Sequence, residues 1–351
     1  MFKLKNRIIG KKNKPFIIAE MSSNHNQSLD VALKIVDIAA KTGVDAIKIQ
    51  TYKPDTITIN SSRKEFEIKS KKSLWNNMTL YSLYKKAHTP WEWHEAIFRQ
   101  AKKNKILCFS SAFDETSINF LEKLDNPCYK IASPECVDLQ LIKQVALTGK
   151  PIIISTGMAT KSEISDAVEV ARKNGCKNLA LLKCTSTYPA PEEDINLRTI
   201  QAMKKEFKCE VGLSDHTLGI SVPLAALSLG ATIIEKHFVL SKKKITPDSA
   251  FSADPSEFSQ LVTEAKKVFK SLGKVKYGAT KSELSSLKFR RSLYVVKDIK
   301  KGELITKHNI RSIRPSNGMS TKYFEDVLGL IAKKNLKFGT PLSWDLIKKK
   351  L

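Results

Sequence analysis

Two histidines carry the most chemistry in this chain. His216 ends the run Val211-Gly-Leu-Ser-Asp-His216, and His237 ends Ile233-Ile-Glu-Lys-His237. Each run is short and apolar in the manner of a buried strand, and residues 218–229, closed by Gly230, show the pattern of an amphipathic helix. Strand, helix and strand make a βαβ unit with parallel strands, so both imidazoles arrive at the same sheet edge, within reach of one cation. One such histidine alone more often satisfies a local hydrogen bond, but two at equivalent strand ends point to a metal or catalytic site.

Further apolar runs finish on Glu20, Lys48, Ser110, Lys130, Ser155, Lys183 and Ser214. Lysine brings positive charge without a planar fork and fits phosphate or carboxylate, and serine hydroxyls donate to the same groups, although any one serine serves equally well as a partner for nearby backbone. A structural zinc needs four closed ligands, and the His-Glu-x-x-His of a zinc protease is missing from the chain. Two imidazoles with open positions suit Mn²⁺, with Mg²⁺ or Co²⁺ as alternatives, holding waters or substrate oxygens. The expected ligand is a small phosphorylated carboxylate beside a metal-polarised carbonyl.

The elements that must position these groups alternate regularly. Apolar runs at residues 16–20, 46–50, 106–111, 128–133, 151–156, 179–185, 211–216 and 233–238 are separated by helical patterns, and eight strand–helix alternations close a parallel barrel. The alternation along residues 46–50 turns Lys48 and Gln50 the same way. A doubly wound sheet fits less well, because the first run leads into Met-Ser-Ser-Asn-His-Asn with no Gly-x-Gly-x-x-Gly. Residues 51–89 break the pattern as a long insertion carrying Tyr52, Lys69, Lys71, Trp75, Asn76, Tyr81 and Tyr84, and insertions of this size are usually functional. Thr89-Pro90 reads as the N-cap and first position of the next helix. The expected architecture is α/β: a (β/α)8 TIM barrel over residues 1–272, a linker over 273–289, and a small domain of short strands over 290–351.

The formal net charge is +25, from 60 lysines and arginines against 35 acidic residues. The excess is scattered as lysine over helix faces, with no arginine-rich arm, finger or RNA-binding signature, so a solvated surface is expected and not a nucleic-acid partner. The six cysteines form no Cys-x-x-Cys pair and read as reduced thiols of a cytoplasmic protein. No stretch approaches a signal-peptide core or a membrane span.

Phe16-Ile-Ile-Ala-Glu-Met-Ser-Ser-Asn-His25, Ala46-Ile-Lys-Ile-Gln-Thr51, Tyr129-Lys-Ile-Ala-Ser133, Ser155-Thr-Gly157, Lys183-Cys-Thr-Ser-Thr-Tyr-Pro189, Gly212-Leu-Ser-Asp-His216 and Glu235-Lys-His237 together resemble the sialic acid synthase family. Arg290-Arg-Ser-Leu-Tyr294, Lys300-Lys-Gly302 and Ile313-Arg-Pro-Ser-Asn-Gly318 resemble its C-terminal SAF, or antifreeze-like, β-clip domain. The resemblance implies a metal-dependent condensation of phosphoenolpyruvate with an N-acetylated amino sugar, giving a nine-carbon 2-keto acid and phosphate. It implies that His216 and His237 bind the metal, that Glu20 positions or deprotonates a water, and that Lys48, Ser110, Lys130, Ser133, Ser155, Lys183 and Ser214 cradle phosphoenolpyruvate. It also implies that Gln50, Tyr188 and Asp248 face the sugar, and that Arg314 reaches the partner's mouth in a domain-swapped homodimer.

Cys184-Thr-Ser-Thr-Tyr-Pro189 departs from the Cys-Thr-Asn-x-Tyr-Pro of sialic-type members, and Leu74-Trp75, Leu80-Tyr-Ser-Leu-Tyr84 and Thr89-Pro-Trp-Glu-Trp-His94 resemble the pseudaminic acid branch. Its sugar is a 2,4-diacetamido-2,4,6-trideoxy-L-altrose, whose methyl and acetyl groups suit an aromatic lid. N-acetylneuraminate or legionaminate synthesis, a metal-dependent barrel aldolase or lyase without phosphoenolpyruvate, and a non-enzymatic sugar- or nucleic-acid-binding protein are the alternatives.

Overall fold

The computed structural model describes residues 2–69 and 74–349; Lys71 of the insertion and the last two positions of the 290–351 domain lie outside the described residues. The chain divides into two compact units, residues 1–273 and 274–351.

The first unit opens with a hairpin, β1 (Phe2–Leu4) and β2 (Arg7–Ile9), paired antiparallel. Eight parallel strands follow: β3 (Phe16–Glu20), β4 (Ala46–Thr51), β5 (Leu107–Ala112), β6 (Tyr129–Ile131), β7 (Ile152–Ser155), β8 (Leu179–Cys184), β9 (Glu210–Asp215) and β10 (Ile233–His237). Each pairs with the next, and β10 closes on β3. The expected barrel is therefore the observed one.

Because strand side chains alternate, each barrel strand serves two cores. Phe16, Ile18, Ala46, Phe109, Cys128, Ile153, Ala180, Leu182 and Ile233 fill the interior, and the hairpin's Phe2, Leu4 and Ile9 join that cluster. The opposite parity, such as Ile17, Ile47, Ile154, Leu181, Leu213 and Ile234, packs in the larger layer shared with the helices. Inward positions nearer the carboxyl ends are thereby left for polar side chains.

Local chemistry sets the helix starts. The Ser28 hydroxyl accepts from the Val31 amide to begin Leu29–Lys41, and Asp254, with Pro255 and Glu257, builds a capping box on Pro255–Leu272. The expected helix at Thr89 differs. Residues Trp91–Trp93 form a 3₁₀ turn before His94–Lys103, and the Thr89 hydroxyl lies 3.3 Å from His25 Nε2 instead of capping. The insertion contains the helices Pro54–Ile57 and Leu80–Ala87.

In the second unit, residues Lys281–Phe289 form a 3₁₀ helix. Strands β11 (Ser292–Val295) and β12 (Ile310–Ile313) pair antiparallel, as do β13 (Ile331–Ala332) and β14 (Ile347–Lys348). Leu293, Val295, Ile299, Ile305, Val327, Leu336 and Leu342 form its core.

Candidate active site

The inward parity of β9 and β10 carries Ser214, His216, Glu235 and His237 to the carboxyl end of the barrel. The two imidazoles meet edge to face with centroids 5.3 Å apart. His216 donates from Nδ1 to the Thr185 carbonyl at 2.9 Å, which leaves Nε2 free of that hydrogen bond. His237 Nδ1 is buried without a hydrogen-bond partner and lies 3.9 Å from an Asp248 oxygen. Burial, then the positive surroundings of His216 and Lys48, hold His237 well below the usual histidine range, so it is neutral. Burial also disfavours charge on His216, but Cys184 and the Thr185 carbonyl outweigh it and raise the ring.

Beside the histidines is a buried charge cluster. Lys48 Nζ sits 2.6 Å from Glu20 Oε2 and 3.6 Å from Glu235 Oε1, and it donates to Ser111 Oγ at 3.2 Å. Lys130 Nζ is 3.9 Å from the same Glu235 oxygen, and Ser214 donates to it at 3.3 Å. Burial pushes Glu20 up to about 7, with Lys48 opposing and Glu235 reinforcing the rise. Glu235 is shifted the other way, because Lys130 and Lys48 overcome its burial. Two lysines thus face two carboxylates, and Glu20 is the one poised to exchange a proton near neutrality.

The expected ring of three lysines is corrected to two. Lys183 shares the outward parity of Leu181, and its ammonium caps the Cys184 carbonyl at 2.8 Å and Thr185 Oγ1 at 3.3 Å. Ser110 is displaced for the same reason: its hydroxyl faces Thr51 at 2.6 Å and the Ile49 carbonyl at 3.0 Å on the helix side, while Ser111 takes the inward place. Lying near the end of a strand does not determine which way a side chain points, whereas counting by twos from the interior residues does.

The remaining serines gather at β6–β8. Ser155 Oγ is buried without a partner, and Ser133 Oγ accepts from the Gly157 amide at 3.1 Å. A Cβ on Gly157 would collide with the hydroxyls of Ser133 and Ser186, so only glycine leaves this hydroxyl-lined cradle open. Ser186, read in the sequence only as a lost amide, belongs to this group.

A cavity of about 270 Å³ adjoins His237. Gln50, Tyr188 and Asp248 line it, and Tyr52, Ile57, Trp75, Leu83, Tyr84, Phe113 and Phe251 give it an aromatic and aliphatic wall drawn largely from the 51–89 insertion. Tyr188 lies 4.4 Å from the His216 ring and 5.7 Å from Trp75, centroid to centroid. Asp248 is anchored by Ser23, whose hydroxyl donates at 2.8 Å and amide at 3.2 Å. Glu135, unmarked in the sequence, also lines the cavity; one of its oxygens is buried without a donor, and burial raises it to about 7. Arg314 is exposed in the second unit.

Among the described residues no group of three or more His, Cys, Asp or Glu is arranged to enclose a metal ion. The histidine pair, with its orphaned ring nitrogen, fits a cation whose other positions face water or substrate.

A (β/α)8 barrel with a neutral histidine, a paired imidazole and a lysine–carboxylate cluster at its carboxyl mouth is the frame. The model of the NeuB family matches residues 35–277, that of the SAF domain matches residues 290–348, and the chain belongs to the NeuB family. It is 46% identical over 329 residues to the pseudaminic acid synthase of Campylobacter jejuni, spanning 94% of this chain and 95% of that protein. It is 44% identical over 338 residues to the pseudaminic acid synthase of Helicobacter pylori, spanning 96% and 99%. The crystal structure of N-acetylneuraminic acid (sialic acid) synthetase from Leptospira borgpetersenii in complex with citrate aligns with a TM-score of 0.73 at 34% identity, covering 82% of this chain and 95% of that one.

Proposed function

We propose that this chain condenses phosphoenolpyruvate with 2,4-diacetamido-2,4,6-trideoxy-L-altrose and water to give pseudaminic acid and phosphate. The observation that carries the reading is the junction of two unlike sites: a buried lysine and serine cradle for an anion, and an aromatic cavity of sugar size, meeting at His237. The similarity to two pseudaminic acid synthases supports the same acceptor.

Lys48 and Lys130 hold the phosphate and carboxylate of phosphoenolpyruvate, with Ser133, Ser155, Ser186, Ser214 and the Gly157 amide as hydrogen-bonding groups around them. An arriving anion competes with Glu20 for Lys48, and as that pairing weakens the Glu20 carboxylate, already raised by burial, becomes a stronger base. This makes Glu20 the acceptor for the proton of the water that adds to the enol carbon. The aromatic wall takes the methyl and acetyl groups, while Gln50, Tyr188, Asp248 and Glu135 take the polar edges. His216 and His237 would hold a divalent cation, Mn²⁺ before Mg²⁺ or Co²⁺, which supplies a Lewis acid for the sugar aldehyde.

We also place the enzyme in the cytoplasm as a homodimer with exchanged C-terminal units, tethered through residues 273–289. Six free cysteines suit a reducing compartment. Val275, Tyr277, Leu284, Leu287 and Phe289 are apolar and exposed, as a face covered by a second copy would be. No helix among the described residues is long and apolar enough to cross a membrane.

Phosphate release with phosphoenolpyruvate and a panel of acetamido sugars tests the reading. The diacetamido-altrose should give the highest kcat/KM, with a product of matching mass. Preference for N-acetylmannosamine or a legionaminate precursor would move the chain to another acceptor, and turnover without phosphate release would indicate an aldolase.

A further inference from the structure

Each of the two histidines is preceded in sequence by a charged residue that the chemistry above does not use. Asp215 precedes His216 and Lys236 precedes His237, and the two stand directly opposite in the β9–β10 register. By alternation they turn away from the mouth, toward the layer that Leu213 and Ile234 share with the helices. There Lys236 Nζ contacts Asp215 Oδ2 at 2.6 Å and donates to the Thr217 carbonyl at 2.5 Å. Asp215 Oδ1 accepts from the Thr217 amide at 3.1 Å and from its hydroxyl at 2.8 Å. All three residues are buried, none more than 1% exposed.

A buried ion pair is a poor source of net stability, because withdrawing two charges from water offsets much of their attraction and an apolar pair often does as well or better. What this pair supplies is geometry. Thr217 follows His216, so the backbone before and after one imidazole is tied to the residue immediately before the other. Four polar links join these three residues.

We infer that Asp215, Lys236 and Thr217 form a positioning clamp that fixes the separation and aim of His216 and His237, so that both present nitrogen to one cation. None of the three touches the reacting atoms. The inference rests on the reading that the histidine pair holds a divalent metal, and it concerns what keeps that pair aligned.

Mn²⁺ binding to the full-length protein, followed by electron paramagnetic resonance of the free ion, tests it without relying on turnover. Lys236→Met and Asp215→Asn should each weaken Mn²⁺ by about 10-fold or more, the range seen when groups that orient metal ligands are lost. Lys236→Arg should recover part of the affinity. The double variant Asp215→Leu with Lys236→Met separates positioning from stability, since it restores an apolar packed pair but no link to Thr217. Thermal stability near that of the unaltered protein with Mn²⁺ still weak supports the clamp. Full Mn²⁺ affinity in the single variants, or affinity that returns with stability in the double variant, overturns it. Failure of the unaltered protein to bind Mn²⁺, or binding unchanged by His216→Ala, overturns the metal reading itself and the clamp with it.

Discussion

Replacing Glu135 by Gln removes one buried ionisable group and leaves the cavity's shape nearly unchanged. Burial raises this carboxyl from an ordinary 4.5 to about 7, so the folded protein binds its proton more tightly than the unfolded chain does. The folded state therefore bears no penalty at low pH, where the acid is neutral in both states, and bears a growing one as pH rises from 4.5 toward 7, where only the unfolded chain ionises freely. Above that range the penalty is constant. The rise from 4.5 to about 7, at about 1.4 kcal/mol per pH unit, gives roughly 3.5 kcal/mol, which the water admitted by the cavity lowers to about 3 kcal/mol at most. Glutamine does not titrate. Denaturation of both proteins followed by tryptophan fluorescence should show similar stability near pH ~4 and the Gln variant more stable by up to about 3 kcal/mol near pH ~8. The same variant should raise KM for the sugar more than KM for phosphoenolpyruvate, since Glu135 lines the sugar cavity and reaches Lys130 only through its field. Parallel stability profiles across the pH range would refute the argument, because they would mean that the carboxyl ionises as readily in the folded protein as in water.

Lys48→Met leaves Glu20 and Glu235 buried with only Lys130 nearby, and it should cost about 3–5 kcal/mol of stability above neutral pH and raise KM for phosphoenolpyruvate sharply; a fully stable variant with normal KM would show that neither carboxylate is charged there. Trp75→Ala removes an aromatic wall beside Tyr188 and should raise the sugar KM by about 10-fold with little change in kcat, read by steady-state kinetics. Arg314→Ala and His237→Ala chains, each inactive alone, should regain part of the activity when mixed into hybrid dimers, and verified hybrids without activity would remove Arg314 from the partner's site.

The barrel was legible in the sequence because a parallel strand buried on both faces reads as a short apolar run, and eight such runs at helix-length spacing leave few other closures. The histidine pair was legible for the same reason, since neighbouring strands in one βαβ unit put their ends together. What escaped was parity. Ser110 and Lys183 lie near the carboxyl ends of their strands but point outward, while Ser111, Glu235 and Ser186 occupy the mouth. Counting by twos forward from Ile233 would have paired Glu235 with His237. The hairpin at residues 2–9 went unread because three-residue strands carry almost no periodic signal. Contacts far apart in sequence were beyond reach: Ser23 anchors Asp248 across 225 residues, and Asn24 donates to the Phe238 carbonyl and the Ser252 hydroxyl. Glu135 stands in no motif, and its importance arises only from the cavity that buries it.

The most direct measurement is a crystal structure of the protein with Mn²⁺ and phosphoenolpyruvate, using anomalous scattering to locate the metal. The account predicts one manganese peak bonded to His216 and His237, with the phosphate and carboxylate of phosphoenolpyruvate held by Lys48 and Lys130 beside it. A manganese peak away from both rings, or phosphoenolpyruvate bound at Lys183 on the outward face, would contradict it.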